Sequence, residues 1–145
     1  EILRSLQDAR GESFGLVNKG TILGELGRYE DAIAVYRQAL PLKRDDPPGT
    51  ARVLLNIGLS LNMLKDYAGA LQHLRDAQSI AESSKIPELL WQVQFALGAL
   101  AENTGDRLAA AGLYKRAVQT IEDVRGRLGS GMFKADFLQG KVFVY

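Results

Sequence analysis

The sequence has no cysteine. Disulfides, thiol catalysis and cysteine-bearing metal sites are therefore excluded, and a reducing location such as the cytoplasm is expected. Histidine is nearly as scarce: His73 is the one in the chain. A Ser–His–Asp triad would have to use it, yet no serine stands in a strained nucleophile turn. His73 reads as a surface or half-buried helix residue. No run of 18 apolar residues exists, so no membrane span is expected. No secretory signal pattern is visible either. Neither sign of charge dominates, with 18 basic and 17 acidic residues and a net charge of +1. That balance gives no bulk preference for nucleic acid or an anionic membrane. From residue 115 onward six basic residues meet three acidic ones. Without interleaved aromatics this reads as a solvated face and not a nucleic-acid footprint.

Two further chemistries are weighed and set aside. Gly126 and Gly131 bracket a skeleton of the phosphate-loop kind, but Met132 and Phe133 stand where lysine and serine or threonine are needed. The skeleton also follows a helical pattern where that loop requires a strand. The carboxylate pairs Glu30–Asp31, Asp45–Asp46 and Glu122–Asp123 are adjacent in sequence. Neighbours on a helix do not face one another, so these pairs are solvated charges. No catalytic residue, cofactor site or metal site is assigned, and the chain is expected not to be an enzyme.

What the chain does have is a pattern that recurs three times. Gly20, Gly27, Tyr29, Ala32, Tyr36 and Ala39 form the first set. Gly58, Lys65, Tyr67, Ala70, Leu74 and Ala77 form the second. Gly98, Gly105, Arg107, Ala110, Tyr114 and Ala117 form the third. The sets start 38 and 40 positions apart. Self-similarity at such a period marks a solenoid of stacked helix pairs. A mid-helix glycine costs about 1 kcal/mol relative to alanine, so Gly20, Gly58 and Gly98 imply close helix approach. Ala32, Ala70 and Ala110 are the small residues opposite them. Tyr36, Leu74 and Tyr114 are expected to fill the gap to the next pair. Gly27 and Gly105 suit a left-handed helix end. Lys65 does not, and a less regular turn is expected there. Asp66 and Asp106 are good N-caps, whereas Arg28 is not.

These residues resemble the tetratricopeptide repeat over roughly residues 13–125. The segments from Gly20 to Ala32 and from Tyr36 to Leu40 match it closely; the third repeat has Arg107 where an aromatic is usual. The family period is about 34 residues, so the chain runs longer, with the excess near residues 43–49 and 81–87. The resemblance implies an all-α, right-handed superhelical solenoid of antiparallel pairs. Its expected organisation is a solenoid over 1–127, with repeats at 13–49, 50–86 and 87–127 and a C-terminal capping or junction helix at 128–145. Residues 1–10 read as the end of a preceding repeat or an N-cap, ended by Gly11. Helices are expected at 13–26, 29–42, 50–64, 67–83, 87–104 and 107–127. Pro47, Pro48 and Gly49 read as a break with Thr50 as the following cap, and Pro87 suits a first turn.

In the family register the first helices line a concave face. This places Val17, Asn18 and Thr21 inward in the first repeat. Arg52, Leu55, Asn56, Leu59 and Asn62 follow in the second, and Gln92 and Phe95 in the third. Phe14, Glu25, Met63, Ala99, Glu102 and Asn103 fall on the same side. Amides there can bond an extended peptide backbone, and apolar pockets can select its side chains. Family members that grip a C-terminal carboxylate carry cations and asparagines at positions held here by Val17, Thr21, Asn56, Gln92 and Ala96. Only Asn56 fits, so that ligand is not expected. Asn18 and Asn56 hold equivalent sites, as in arrays that clamp extended peptides; bridging of neighbouring helices is the alternative role for both.

After residue 127 the pattern changes. Residues 128–131 read as a flexible joint, followed by the apolar Met132, Phe133, Phe137 and Leu138 and a final run Val142–Tyr145. A terminal cap should present a polar outer face. Phe133, Phe137, Phe143 and Tyr145 are therefore candidate self-association residues. The segment from Ile121 to Tyr145 weakly resembles the junction between tetratricopeptide arrays and caspase-like CHAT domains, through Ile121–Arg125, a short break, and Lys134–Leu138. The leading expectation is a protein-interaction scaffold, a fragment of a larger protein, binding a peptide or protein partner. The alternatives are the regulatory array of a CHAT-type protease, a homo-oligomer formed through the C-terminal helix, and a bacterial peptide-sensing regulator.

Overall fold

The computed structural model describes the backbone of residues 2–138 and the side chains of residues 4–128. The described backbone is all-α. It contains α1 (Ile2–Glu25), α2 (Tyr29–Ala39), α3 (Pro47–Met63), α4 (Tyr67–Ser83), α5 (Pro87–Asn103) and α6 (Arg107–Leu138). A short 3-10 turn, Leu40–Lys43, follows α2. The helices pair as α1 with α2, α3 with α4, and α5 with α6, and each pair packs only on the next. This is a helical-repeat solenoid, as the recurring pattern requires.

Four of the five connections between helices are the same device. Arg28 N–H bonds the Leu23 carbonyl at 2.8 Å, and Gly27 N–H bonds the Gly24 carbonyl at 3.0 Å. Asp66 with Leu61, Ile86 with Ala81, and Asp106 with Ala101 repeat the outer bond at 2.9 Å each. This double bond is the Schellman closure, which needs one residue in the left-handed region. Gly27 and Gly105 supply it at φ 78° and 85°. Lys65 and Lys85 supply it at φ 65° and 53°. The irregular turn expected at Lys65 is thus corrected: lysine adopts the glycine conformation and the closure is regular.

The helix starts also follow local chemistry. Asp66 and Asp106 accept the Gly69 and Ala109 N–H groups at 3.1 and 3.0 Å, as N-caps do. Arg28 caps nothing and instead pairs with Asp31 at 2.7 Å. The start of α3 differs from expectation. Asp46, not Thr50, is the cap, accepting from Gly49 N–H at 3.1 Å. Pro47 and Pro48 then form the first helical turn rather than a break, because proline lacks the N–H that a first turn leaves unpaired. Thr50 donates to the Lys43 carbonyl at 2.7 Å, tying α3 to the 3-10 turn. The longer period is absorbed by that turn at the first junction and by a 17-residue α4 at the second.

The repeated glycines hold the pairs together. A Cβ on Gly20 would lie 2.5 Å from Tyr36 Cε1, and one on Gly98 would lie 2.6 Å from Tyr114 Cε1. At Gly58 it would meet Leu74 Cγ at 2.7 Å. Tyr36, Leu74 and Tyr114 therefore pack on the glycine of their own pair, and Tyr36 also lines the gap to the next pair, as expected. Ala32, Ala39, Ala70, Ala77, Ala110 and Ala117 are buried along the same interfaces. Ile57 and Leu74 are fully enclosed at the centre of the stack. Burial of each contributes about 1.5–3 kcal/mol.

Two expected helix ends are absent. α1 runs through Gly11 without interruption, so residues 1–10 are not a separate element. Nothing lies within 4 Å of where a Gly11 side chain would be, and the exposed helix carries the glycine. α6 likewise passes through residues 128–131 as continuous helix. The joint, and with it the short break on which the CHAT-junction resemblance partly rests, is not present. Phe143 and Tyr145 lie outside the described residues, as do the side chains of Phe133 and Phe137.

Candidate functional site

The first helices α1, α3 and α5 lie side by side, and their shared face carries most of the expected binding residues. An open groove of 250 Å³ between the first and second pairs brings Thr21, Asn56 and Leu59 together. Glu25, Tyr29 and Met63 complete its rim, with Tyr36 and Ser60 below. Leu59 and Met63 are exposed apolar side chains one helical turn apart, and Phe95 continues the apolar surface on α5. Phe95 is 53% exposed although its ring lies 4.9 Å from that of Tyr114.

The amides divide into two kinds. Asn56 is half-buried and Asn18 exposed, and neither side chain has a hydrogen-bond partner among the described residues. Asn62, by contrast, is 7% exposed, and its Oδ1 accepts from Asn103 Nδ2 at 2.9 Å. Bridging of neighbouring helices is thus the work of Asn62 and Asn103, not of Asn18 and Asn56. Gln92 Nε2 donates to the Glu88 carbonyl at 2.9 Å within its own helix. Arg52 is exposed and forms no ion pair among the described residues.

Three of the expected site residues are in fact packing residues. Leu55 is only 3% exposed and belongs to the core. Asn62 is removed from the surface by its bond to Asn103. Val17 is half-buried against the core. The register places all three on this face by direction but not in depth: α3 has a first helix on each side, which covers Leu55 and Asn62, and Val17 packs against the core. Tyr29 and Ser60 were missed as groove residues. Tyr29 follows the Gly27 turn at a repeated position, so its placement beside the next helix was the available signal.

The groove edge is tied to α2 by a tyrosine. Thr21 Oγ1 and Tyr36 Oη are hydrogen-bonded at 3.3 Å, and Thr21 Oγ1 also bonds the Val17 carbonyl at 3.0 Å. Burial holds the Tyr36 phenol above its ordinary 10.0; the Thr21 bond lowers it and the Glu25 charge adds to the rise. Burial and then the Glu102 charge likewise raise Tyr114. His73 is half-buried on α4 and donates Nδ1–H to the Gly69 carbonyl at 2.7 Å. Among the described residues, no three His, Cys, Asp or Glu side chains gather as a metal site would require.

Tandem pairs with glycine against an aromatic or leucine, closed by identical turns, decide the comparison. Residues 13–83 match the family model of the tetratricopeptide repeat. The tetratricopeptide match takes in the second half of α1 and all of α2, α3 and α4. The third pair, α5 with α6, repeats the same contacts at Gly98 and Tyr114. No curated protein matches the chain. Among the described residues, no helix is long and apolar enough to cross a membrane.

Proposed function

We propose that the chain is a protein-interaction scaffold holding an extended peptide, or such a segment of a partner protein, on the face of its first helices. Tetratricopeptide repeats are in general protein-interaction modules, and the match over residues 13–83 supports that role. The observation that carries the finer reading is Asn56. Its amide is uncommitted and stands beside the exposed Leu59 in the groove with Thr21. A peptide backbone presents one donor and one acceptor per residue, which such an amide satisfies together. Leu59, Met63 and Phe95 offer apolar contact to its side chains. In this reading the surface docks a partner and makes or breaks no covalent bond.

The test begins with peptides selected on the immobilised chain from a random display library. Asn56→Ala and Leu59→Glu should each weaken the selected peptides about tenfold or more, in line with about 1.5–3 kcal/mol for such contacts. Both positions touch solvent, so far-UV circular dichroism and melting temperature should hold. Equal titration-calorimetry affinities for both folded variants and the parent would reject the first-helix face.

A further inference from the structure

A second groove lies on the opposite side of the stack. No Cα of α4 lies within 8 Å of a Cα of α6 among the described residues. The 520 Å³ space between them is floored by Leu97 and Leu100 of α5. Its volume falls within the range of about 300–1,000 Å³ common for ligand sites. Leu71 and Arg75 line it from α4, and Leu113 and Arg116 from α6. Each leucine–arginine pair is three or four residues apart, so it shares one helical face. Leu71 is 38% exposed, which leaves an apolar wall open to solvent beside two guanidinium groups.

Those two charges are uncompensated. Neither Arg75 nor Arg116 has a carboxylate within ion-pair distance among the described residues, where the pairs are Arg28–Asp31 and Lys43–Asp46. The rim carboxylate Asp106 is engaged as the α6 cap with Ala109 N–H at 3.0 Å. It stands ten residues before Arg116, about 15 Å away along the helix. The preceding junction is different at the same register. There Arg37 corresponds to Arg75, but Asp76 corresponds to Arg116. Ile33, in the place of Leu71, is 6% exposed. The first junction thus carries one cation and one anion at these positions, beside a filled wall. The second doubles the cation beside an open one.

We infer that the groove between α4 and α6 docks a partner peptide carrying an acidic side chain next to a leucine-sized apolar one. The apolar side chain lies on Leu97 and Leu100, and the carboxylate reaches Arg75 and Arg116. Two guanidinium groups can hold one carboxylate through charge-assisted hydrogen bonds, which are stronger than neutral ones. The site is distinct from the first-helix face, so it stands or falls independently of the function proposed for that face.

The experiment titrates the 15N-labelled chain with an acetylated, amidated hexapeptide of alternating Glu and Leu. Saturable amide shifts are expected at Leu71, Arg75, Ala109, Leu113 and Arg116. Arg75→Glu combined with Arg116→Glu, or Gln in place of Glu in the peptide, should weaken binding about tenfold or more. Ala109→Trp should block the groove from an exposed position without changing charge. Asn56→Ala should leave this titration unchanged. Shifts confined to the first-helix face, no shifts at millimolar peptide, equal affinity for the Gln peptide, or free glutarate binding as tightly as the peptide would each overturn the inference.

Discussion

Asn103 Nδ2 donates to Asn62 Oδ1 at 2.9 Å, joining α5 to α3 across 41 positions of sequence. Consecutive first helices are therefore locked by a polar bond beneath their shared face. Asn103→Ala removes the donor and leaves the buried Asn62 side chain with no partner. Stability should fall by about 1–2 kcal/mol, the usual cost of an orphaned polar group. Asn62→Ala should cost less through this bond, because Asn103 is exposed and water replaces the lost acceptor, and the double variant should cost less than the sum of the two. Urea denaturation of the four proteins measures this coupling.

The repeated glycines and Gly112 should respond in opposite ways to alanine. Gly20→Ala, Gly58→Ala and Gly98→Ala place a Cβ within 2.5–2.7 Å of Tyr36, Leu74 and Tyr114. Overpacking of this kind costs about 1–3 kcal/mol, which outweighs or at least cancels a helix-propensity gain of about 1 kcal/mol. Gly112→Ala on α6 has nothing within 4 Å and should stabilise by roughly 0.5–1 kcal/mol. Melting temperatures of the four variants test the division.

The Schellman lysines carry backbone strain. Lys65→Gly and Lys85→Gly should stabilise by up to about 1 kcal/mol, since the left-handed region costs a side-chain-bearing residue about 1–2 kcal/mol and glycine offsets part of that by its unfolded-state entropy. Gly27→Ala should destabilise by about 1 kcal/mol for the converse reason. Denaturant midpoints at unchanged m-value check both directions.

Alkaline pH should loosen the stack through its tyrosines. Tyr36 and Tyr114 are raised above 10.0, chiefly by burial. The unfolded chain then loses these protons first, so it binds fewer protons than the native state above that pH. Their contribution is fully present below pH 10.0 and declines as pH rises through the folded values. Thermal unfolding followed between pH 8 and pH 11 should show a flatter decline for Tyr36→Phe with Tyr114→Phe than for the parent. Equal slopes would contradict this origin.

The sequence made the helix pairs readable because glycine at mid-helix has a cost that close approach can offset, and it recurs in register at Gly20, Gly58 and Gly98. It did not make Lys65 and Lys85 readable as left-handed, because nothing in a lysine side chain favours that region; the surrounding closure imposes it. Gly11 misled for the opposite reason. An exposed helix tolerates a glycine when both flanking segments are helical, and α1 continues through it. The face of the first helices was legible in direction but not in depth. Leu55 and Phe95 hold equivalent positions, yet one is buried and the other exposed, because α3 has a first-helix neighbour on each side and α5 only one among the described residues. The Asn62–Asn103 bond depends on the offset between successive helices, which no single repeat encodes.

Because each helix pair rests only on its immediate neighbours, the chain behaves mechanically as rods joined by two separate hinges. Bending at one junction need not strain the other. A ligand spanning all three first helices would have to hold both hinges still and meet that entropic cost, whereas one seated at a single junction would hold only one. Short ligands should therefore leave the far end of the array as compliant as before.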